Sequence, residues 1–226
     1  MTATAALHVL YGGTFDPVHA GHLAIARAAH EALGVPVHLM PAADPPHRPP
    51  PGASAAQRVA MLALALATEP GLRLDLRELQ RDGRSWSVDT LRGLRGEIGP
   101  QAPVALLVGA DSFAGLPTWK SWRELFDLAH FVVASREGGG EDLPAELEDA
   151  LAGRVAVSAD ELGQAPAGRV LWLRQPLHPH SATAIRARIA AGQPWRHLVP
   201  VPVADYIHAH DLYRGPSPPA AIVTGS

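Results

Sequence analysis

Along this chain, short apolar runs alternate with stretches whose apolar residues recur every three or four positions. Runs at residues 7–11, 35–40, 72–76, 104–108, 131–134 and 170–173 read as strands. Several are unbroken rather than alternating, the pattern of parallel strands covered on both faces. The stretch 20–33 carries Leu23, Ala26, His30 and Leu33 on one stripe and stops at Gly34, a residue suited to the left-handed end of a helix. Residues 54–69 open with Ser54 and Gln57 at capping-box spacing and end at Pro70-Gly71. A third helix is expected from Ser87, as its cap, to Ile98, with Leu91, Leu94 and Ile98 inward. Ser181 or Thr183 caps a fourth that pairs Ile185 with Ile189 and ends at Gly192. A last helix at 203–210 pairs Val203 with Ile207.

Strands alternating with helices imply right-handed crossovers, and so an α/β fold with a Rossmann-like doubly wound parallel sheet. A single domain with C-terminal helices accounts for the pattern. The fold also locates the chemistry, because such sheets bind ligands at the carboxyl ends of their strands, where the strand order reverses.

Composition narrows the class. The 226 residues include 47% hydrophobic and 18% charged residues, which excludes a disordered chain. The longest clean apolar run, 61–67, falls far short of a membrane span, and the N-terminus lacks the features of a signal peptide, so neither a membrane nor an export role is expected. With 19 basic against 22 acidic residues the net charge is −3, unlike a general nucleic-acid or membrane-surface binder. Absence of cysteine removes disulfides and cysteine metal sites and fits a cytoplasmic protein. Lys120 is the single lysine.

The strongest chemical signal follows the first strand: Gly12-Gly13-Thr14-Phe15-Asp16-Pro17-Val18-His19-Ala20-Gly21-His22. Glycines there let backbone approach a ligand, and the next helix offers free N–H groups and a positive dipole end to an anion. His19 and His22, three apart across the helix start, can face one phosphate chain. A histidine pair at that spacing also suits a buried pair or half of a zinc site. Glycines at a strand-to-helix turn are what phosphate binding needs and a zinc site does not. Neither GxGxxG nor GxxxxGK[ST] occurs there.

These residues resemble the signature of the nucleotidylyltransferase superfamily, whose His-x-Gly-His element binds a nucleoside triphosphate. Ser181-Ala182-Thr183-Ala184-Ile185-Arg186 resembles the superfamily's second phosphate motif. Within the superfamily the chain is most similar to the nicotinate-nucleotide adenylyltransferases. Further matches are Pro45-Pro46-His47-Arg48, Ser85-Trp86-Ser87 with Asp89-Thr90-Leu91, Gly109-Ala110-Asp111 through Trp119-Lys120, and Leu198-Val199-Pro200 to Leu212-Tyr213. The likeness implies a nucleotidylyltransferase domain over residues 1–214, with a flexible tail at 215–226. It implies transfer of AMP from ATP to nicotinate mononucleotide, with Mg²⁺ carried by ATP and no metal held by protein side chains.

By the same resemblance, ATP falls to Gly12, Gly13, Thr14, Phe15, His19, His22, Gly109, Asp111, Arg136, Ser181, Thr183 and Arg186. The mononucleotide falls to His47, Arg48, Ser85, Trp86, Ser87, Asp111 and Trp119, with Trp119 stacked on the pyridine ring. His19, His22, Arg186 and Lys120 are the expected catalytic cations and donors. Arg48 stands where the family has a lysine, and Ser85-Trp86-Ser87 where it has Ser-Tyr-Thr. His178-Pro179-His180 lacks a third ligand at metal spacing and reads as a loop. Nicotinamide mononucleotide and phosphopantetheine are the rival acceptors, and a nucleotide-binding regulator is the rival without catalysis. A fragment of a class I aminoacyl-tRNA synthetase needs a lysine-rich second motif, which a chain with one lysine cannot supply.

Overall fold

The computed structural model describes residues 6–43, 52–81, 85–136, 143–175 and 181–214. Six strands, β1 (His8–Gly13), β2 (Val37–Pro41), β3 (Leu72–Leu74), β4 (Val104–Gly109), β5 (His130–Arg136) and β6 (Val170–Gln175), form one sheet in the order β3-β2-β1-β4-β5-β6. Every pairing is parallel. The order reverses between β1 and β4, so the crevice for a ligand opens where those two strands end.

Side-chain alternation along the strands divides the core into two layers. Val9 and Tyr11 of β1 and Ala105 and Leu107 of β4 face α1 (Ala20–Leu33), α2 (Ala55–Leu66), α7 (Ala182–Ala190) and α8 (Val201–Ala209). Leu10, Leu106 and Val108 point the other way, toward α3 (Ser87–Ile98), α4 (Ala110–Ala114), α5 (Leu125–Leu128) and α6 (Ala145–Leu151). Covered on both faces, the middle stretches of β1, β4 and β5 are apolar on either side, hence their unbroken apolar runs. No helix among the described residues is long and apolar enough to cross a membrane.

Two expectations need correction. The third strand stops at Leu74 rather than 76, because the Leu76 carbonyl accepts from the amides of Leu79 and Gln80 and turns the chain. Ser87 is the first residue of α3, not its cap: Trp86 holds that position and its carbonyl accepts from Asp89 and Thr90. The helices α4, α5 and α6 run four to seven residues, too short for a periodic pattern to announce them. By contrast, the Ser54–Gln57 capping box forms in both directions, Ser54 caps α2, Ser181 caps α7 through Ala184, and Gly34 ends α1 with φ +67°.

Candidate active site

The turn after β1 is built around a buried aromatic ring. Phe15, 1% exposed, adopts a left-handed backbone (φ +50°) and folds its side chain back under the turn. A Cβ on Gly13 would lie 3.0 Å from that ring, so a larger residue there would have to push the ring aside by a few tenths of an ångström. The Phe15 ring meets the His22 ring edge-on at 5.0 Å, and Tyr11 approaches the same imidazole at 6.3 Å. His22 is thereby fixed in the first turn of α1.

His19 is the N-cap residue of α1, and its amide donates to His22 Nδ1 at 3.3 Å. An Nδ1 that accepts leaves the proton of the neutral ring on Nε2, making that nitrogen a donor. The two imidazoles stack with centroids 3.7 Å apart. The N-terminus of α1, with its positive dipole end, thus carries a histidine donor beside it.

Beneath the turn lies Asp16, 2% exposed. Its carboxylate accepts from the amides of Gly52 (2.7 Å) and Ala53 (3.1 Å) and from the Tyr213 hydroxyl (2.6 Å). Burial, reinforced by this carboxylate, raises the Tyr213 phenol pKa far above its ordinary value, so it remains a donor. Arg186 of α7 donates to the Asp16 carbonyl at 2.7 Å, lies 3.6 Å from its carboxylate, and bonds Thr183 Oγ1 at 3.3 Å. The turn after β1 and the start of α7, 170 residues apart in sequence, therefore meet. Arg186 keeps about a third of its side chain exposed, which leaves the guanidinium able to reach a ligand.

Arg58 was not foreseen. It is 1% exposed and donates to the carbonyls of Thr14 (2.9 Å) and Ala43 (3.3 Å), tying the phosphate turn to the loop after β2. Burial lowers its pKa, offset in part by Asp16. Its signal was present in the sequence: Arg58, Met61, Leu62 and Ala65 fall at i, i+3, i+4 and i+7 and are the buried face of α2, so an arginine sits on an apolar stripe. Asp16 and Tyr213 stood inside matched motifs but carried no assigned role.

A second group of expected residues gathers at the start of α3. Ser85 Oγ accepts from the Ala43 amide at 2.9 Å. The Thr90 hydroxyl donates to buried Glu78 at 2.7 Å; burial raises the Glu78 pKa, opposed by hydrogen bonds from Thr90 and Ser85. Lys120 Nζ lies 2.9 Å from Asp89 and 5.7 Å from the centre of the Trp86 ring, so the single lysine stands beside the Ser85–Trp86–Ser87 segment. That hydrogen bond lowers the Asp89 pKa. Trp86 and Trp119, both half-buried, pack against the α3 side of the core. Gly109 ends β4 and precedes α4, whose first turn carries the exposed Asp111. Arg136 is the last residue of β5, at the same carboxyl edge. His47, Arg48, His178 and His180 lie outside the described residues.

Comparison with known proteins accords with this arrangement. Residues 10–188 match the cytidylyltransferase-like family model. A probable nicotinate-nucleotide adenylyltransferase of Stenotrophomonas maltophilia is 58% identical over 219 residues, covering 94% of this chain and 99% of the relative. One from Xylella fastidiosa is 48% identical over 213 residues, covering 92% and 96%. The fold is that of the Plasmodium falciparum nicotinic acid mononucleotide adenylyltransferase solved with NaAD, at TM-score 0.70 and 14% identity over 92% of this chain and 97% of that one. Two phosphate motifs joined at the switch point of a six-stranded parallel sheet, together with these likenesses, make the chain a member of the nicotinate-nucleotide adenylyltransferase family of nucleotidyltransferases.

Proposed function

We propose that the protein transfers the AMP moiety of ATP to nicotinate mononucleotide, forming nicotinate adenine dinucleotide and pyrophosphate in NAD biosynthesis. The observation that carries this reading is the bond from Arg186 to the Asp16 carbonyl, which joins the α7 motif to the α1 motif. The names of the close relatives supply the acceptor.

In the reaction, an oxygen of the acceptor's 5′-phosphate attacks the α-phosphorus of ATP, and the bond from that phosphorus to the β-bridging oxygen breaks. No protein nucleophile is needed. The enzyme aligns two polyanions and neutralises charge on the departing pyrophosphate. His22 donates from Nε2 and His19 stands against it, while the α1 amides add partial positive charge. Gly12, Gly13, Thr14 and Phe15 shape the turn along which the triphosphate lies. Arg186 grips the β- and γ-phosphates with Ser181 and Thr183 beside it, a task suited to a two-pronged guanidinium.

Asp111 and Gly109 bind the ribose edge, and the resemblance assigns Arg136 to the adenosine. Ser85, Trp86, Ser87 and Trp119 receive the pyridine ring, and the resemblance assigns His47 and Arg48 to the same substrate. Lys120, next to Trp86, acts on the acceptor side. Mg²⁺ carried in with ATP would be held by phosphate oxygens and water, and would spread the charge of the triphosphate. The buried Asp16 carboxylate is taken up by Gly52, Ala53, Tyr213 and Arg186, which fits a metal carried by phosphate oxygens and water rather than by that residue. A cytoplasmic location belongs to the same reading, consistent with a chain lacking cysteine.

Incubating the protein with ATP, Mg²⁺ and nicotinate mononucleotide tests the reading. It requires equal yields of the dinucleotide and pyrophosphate; ATP consumption without dinucleotide contradicts it.

A further inference from the structure

The sheet brings three metal-ligating side chains together on its α3 face, away from the phosphate turn. Leu10 pairs with His38, and His38 pairs with Arg73. Since side chains two apart on a strand share a face, His8 projects from the same face as His38. Asp75, two residues beyond Arg73, is still held to β2 by its amide, which donates to the Leu39 carbonyl at 3.0 Å. One donor atom from each of His8, His38 and Asp75 lies within 4.8 Å of the other two. The imidazoles stack with centroids 4.4 Å apart and planes inclined by 24°.

His8 Nε2 is buried and has no hydrogen-bond partner, which is costly for a ring nitrogen unless something else is meant to occupy it. Burial, more than any neighbouring charge, lowers the pKa of both imidazoles and keeps them in the neutral form that binds metals. Asp75 accepts from the amide of Arg77 at 3.0 Å and from its Nε at 2.8 Å. Arg77 is itself shared with Glu97 at 3.1 Å. One guanidinium thus stands against two carboxylates, and a carboxylate offers about four lone-pair positions, so Asp75 keeps capacity for a cation.

We propose that His8, His38 and Asp75 form a binding site for one divalent transition-metal ion, with Zn²⁺ as its ligand and water in the fourth position. Two imidazoles and one carboxylate are a zinc donor set, whereas Mg²⁺ and Ca²⁺ require mostly oxygen. Donor atoms within 4.8 Å of one another are close enough to share one ion at zinc bond lengths of about 2.0–2.1 Å. His8 lies four residues before Gly12 on β1, about 13 Å at roughly 3.3 Å per residue, so the site is separate from the phosphate turn. Bound metal ties β1, β2 and the chain after β3 together. Three residues past Asp75 is Glu78, which holds Thr90, so the clamp steadies the acceptor side of the cleft.

Calorimetric titration of the full, chelator-treated protein with Zn²⁺ tests the proposal. One saturable equivalent of micromolar or tighter affinity is expected, undisturbed by millimolar Mg²⁺ and accompanied by a rise in Tm. Affinity falls at least tenfold in Asp75→Asn and in the double variant His8→Gln/His38→Gln. Should that double variant not fold, paramagnetic Co²⁺ added to the unaltered protein locates the ion: amide signals broaden first at Val9, Val37 and Asp75. Unchanged zinc affinity in a folded His8→Gln/His38→Gln variant overturns the site, as does broadening centred on His19 and His22 or absence of saturable binding.

Discussion

The Tyr213 hydroxyl donates to the Asp16 carboxylate at 2.6 Å, although 197 residues separate them. The segment after α8 is thereby latched beneath the turn after β1, on the carboxylate that also holds the amides of Gly52 and Ala53. Removing the hydroxyl leaves the carboxylate its amide partners but takes one hydrogen bond away. Tyr213→Phe is expected to destabilise the fold by about 1.5–3 kcal/mol in urea unfolding, the range for a hydrogen bond to a charged group. The effect on kcat should be smaller than that of any change at His22.

His22 is expected to matter for turnover and not for folding. Its Nε2 donor is pre-organised by the His19 amide and by the ring of Phe15. Loss of one such donor costs about 10²–10³ in kcat. His22→Ala should show that loss in a pyrophosphate-release assay while its circular dichroism remains unchanged.

Arg58 should behave in the opposite way, through structure first. Arg58→Met keeps the bulk of the stem but strands the carbonyls of Thr14 and Ala43, both of which it now satisfies. A stability loss of about 2–4 kcal/mol is expected, since each unpaired buried group costs about 1–3 kcal/mol. Thermal unfolding reads the loss, and a rise in the KM for ATP should accompany it, because Thr14 belongs to the phosphate turn.

These residues show which parts of the site the sequence discloses. The strand-to-helix turn and the capping serines are local patterns, and His19 and His22 stand out from their spacing, whereas Ser181 and Arg186 stand out only through the resemblance that pairs the second motif with the first. The fold order follows from alternation of apolar runs with helical stripes. What connects the motifs is not local: Asp16 meets Tyr213 and Arg186 only after the chain has crossed the sheet several times. Arg58 announces itself only as a charge on an apolar stripe, which does not say what it will bond. The helices α4 to α6 are specified by tertiary packing of Phe113, Phe126 and Leu147 against the sheet rather than by their own periodicity.

Glu78 gives the fold a pH dependence of known sign. Burial raises its folded-state pKa above the ordinary glutamate value of about 4.3, so the native protein retains a proton that the unfolded chain has released. Stability contributed by this group is present below about pH 4.3 and is lost as pH rises through the folded pKa. Glu78→Gln keeps an acceptor for Thr90 without the charge. It should remove that loss and make the protein more stable than its parent at pH 7–8 by chemical denaturation.

Lys120 separates binding from stability. Its pair with Asp89 is well exposed, at 44% and 32%, and such pairs contribute about 0–1 kcal/mol. Lys120→Met should leave Tm nearly unchanged. With the lysine beside Trp86 on the proposed acceptor side, KM for the mononucleotide should rise while KM for ATP holds.

The most direct measurement is the rate of pyrophosphate release with ATP and Mg²⁺ when nicotinate mononucleotide, nicotinamide mononucleotide and phosphopantetheine are compared as acceptors. Adenylyl transfer to the acidic pyridine nucleotide requires the highest kcat/KM with nicotinate mononucleotide, together with stoichiometric dinucleotide. A higher kcat/KM with either rival acceptor, or no release with any of the three, contradicts the proposed function.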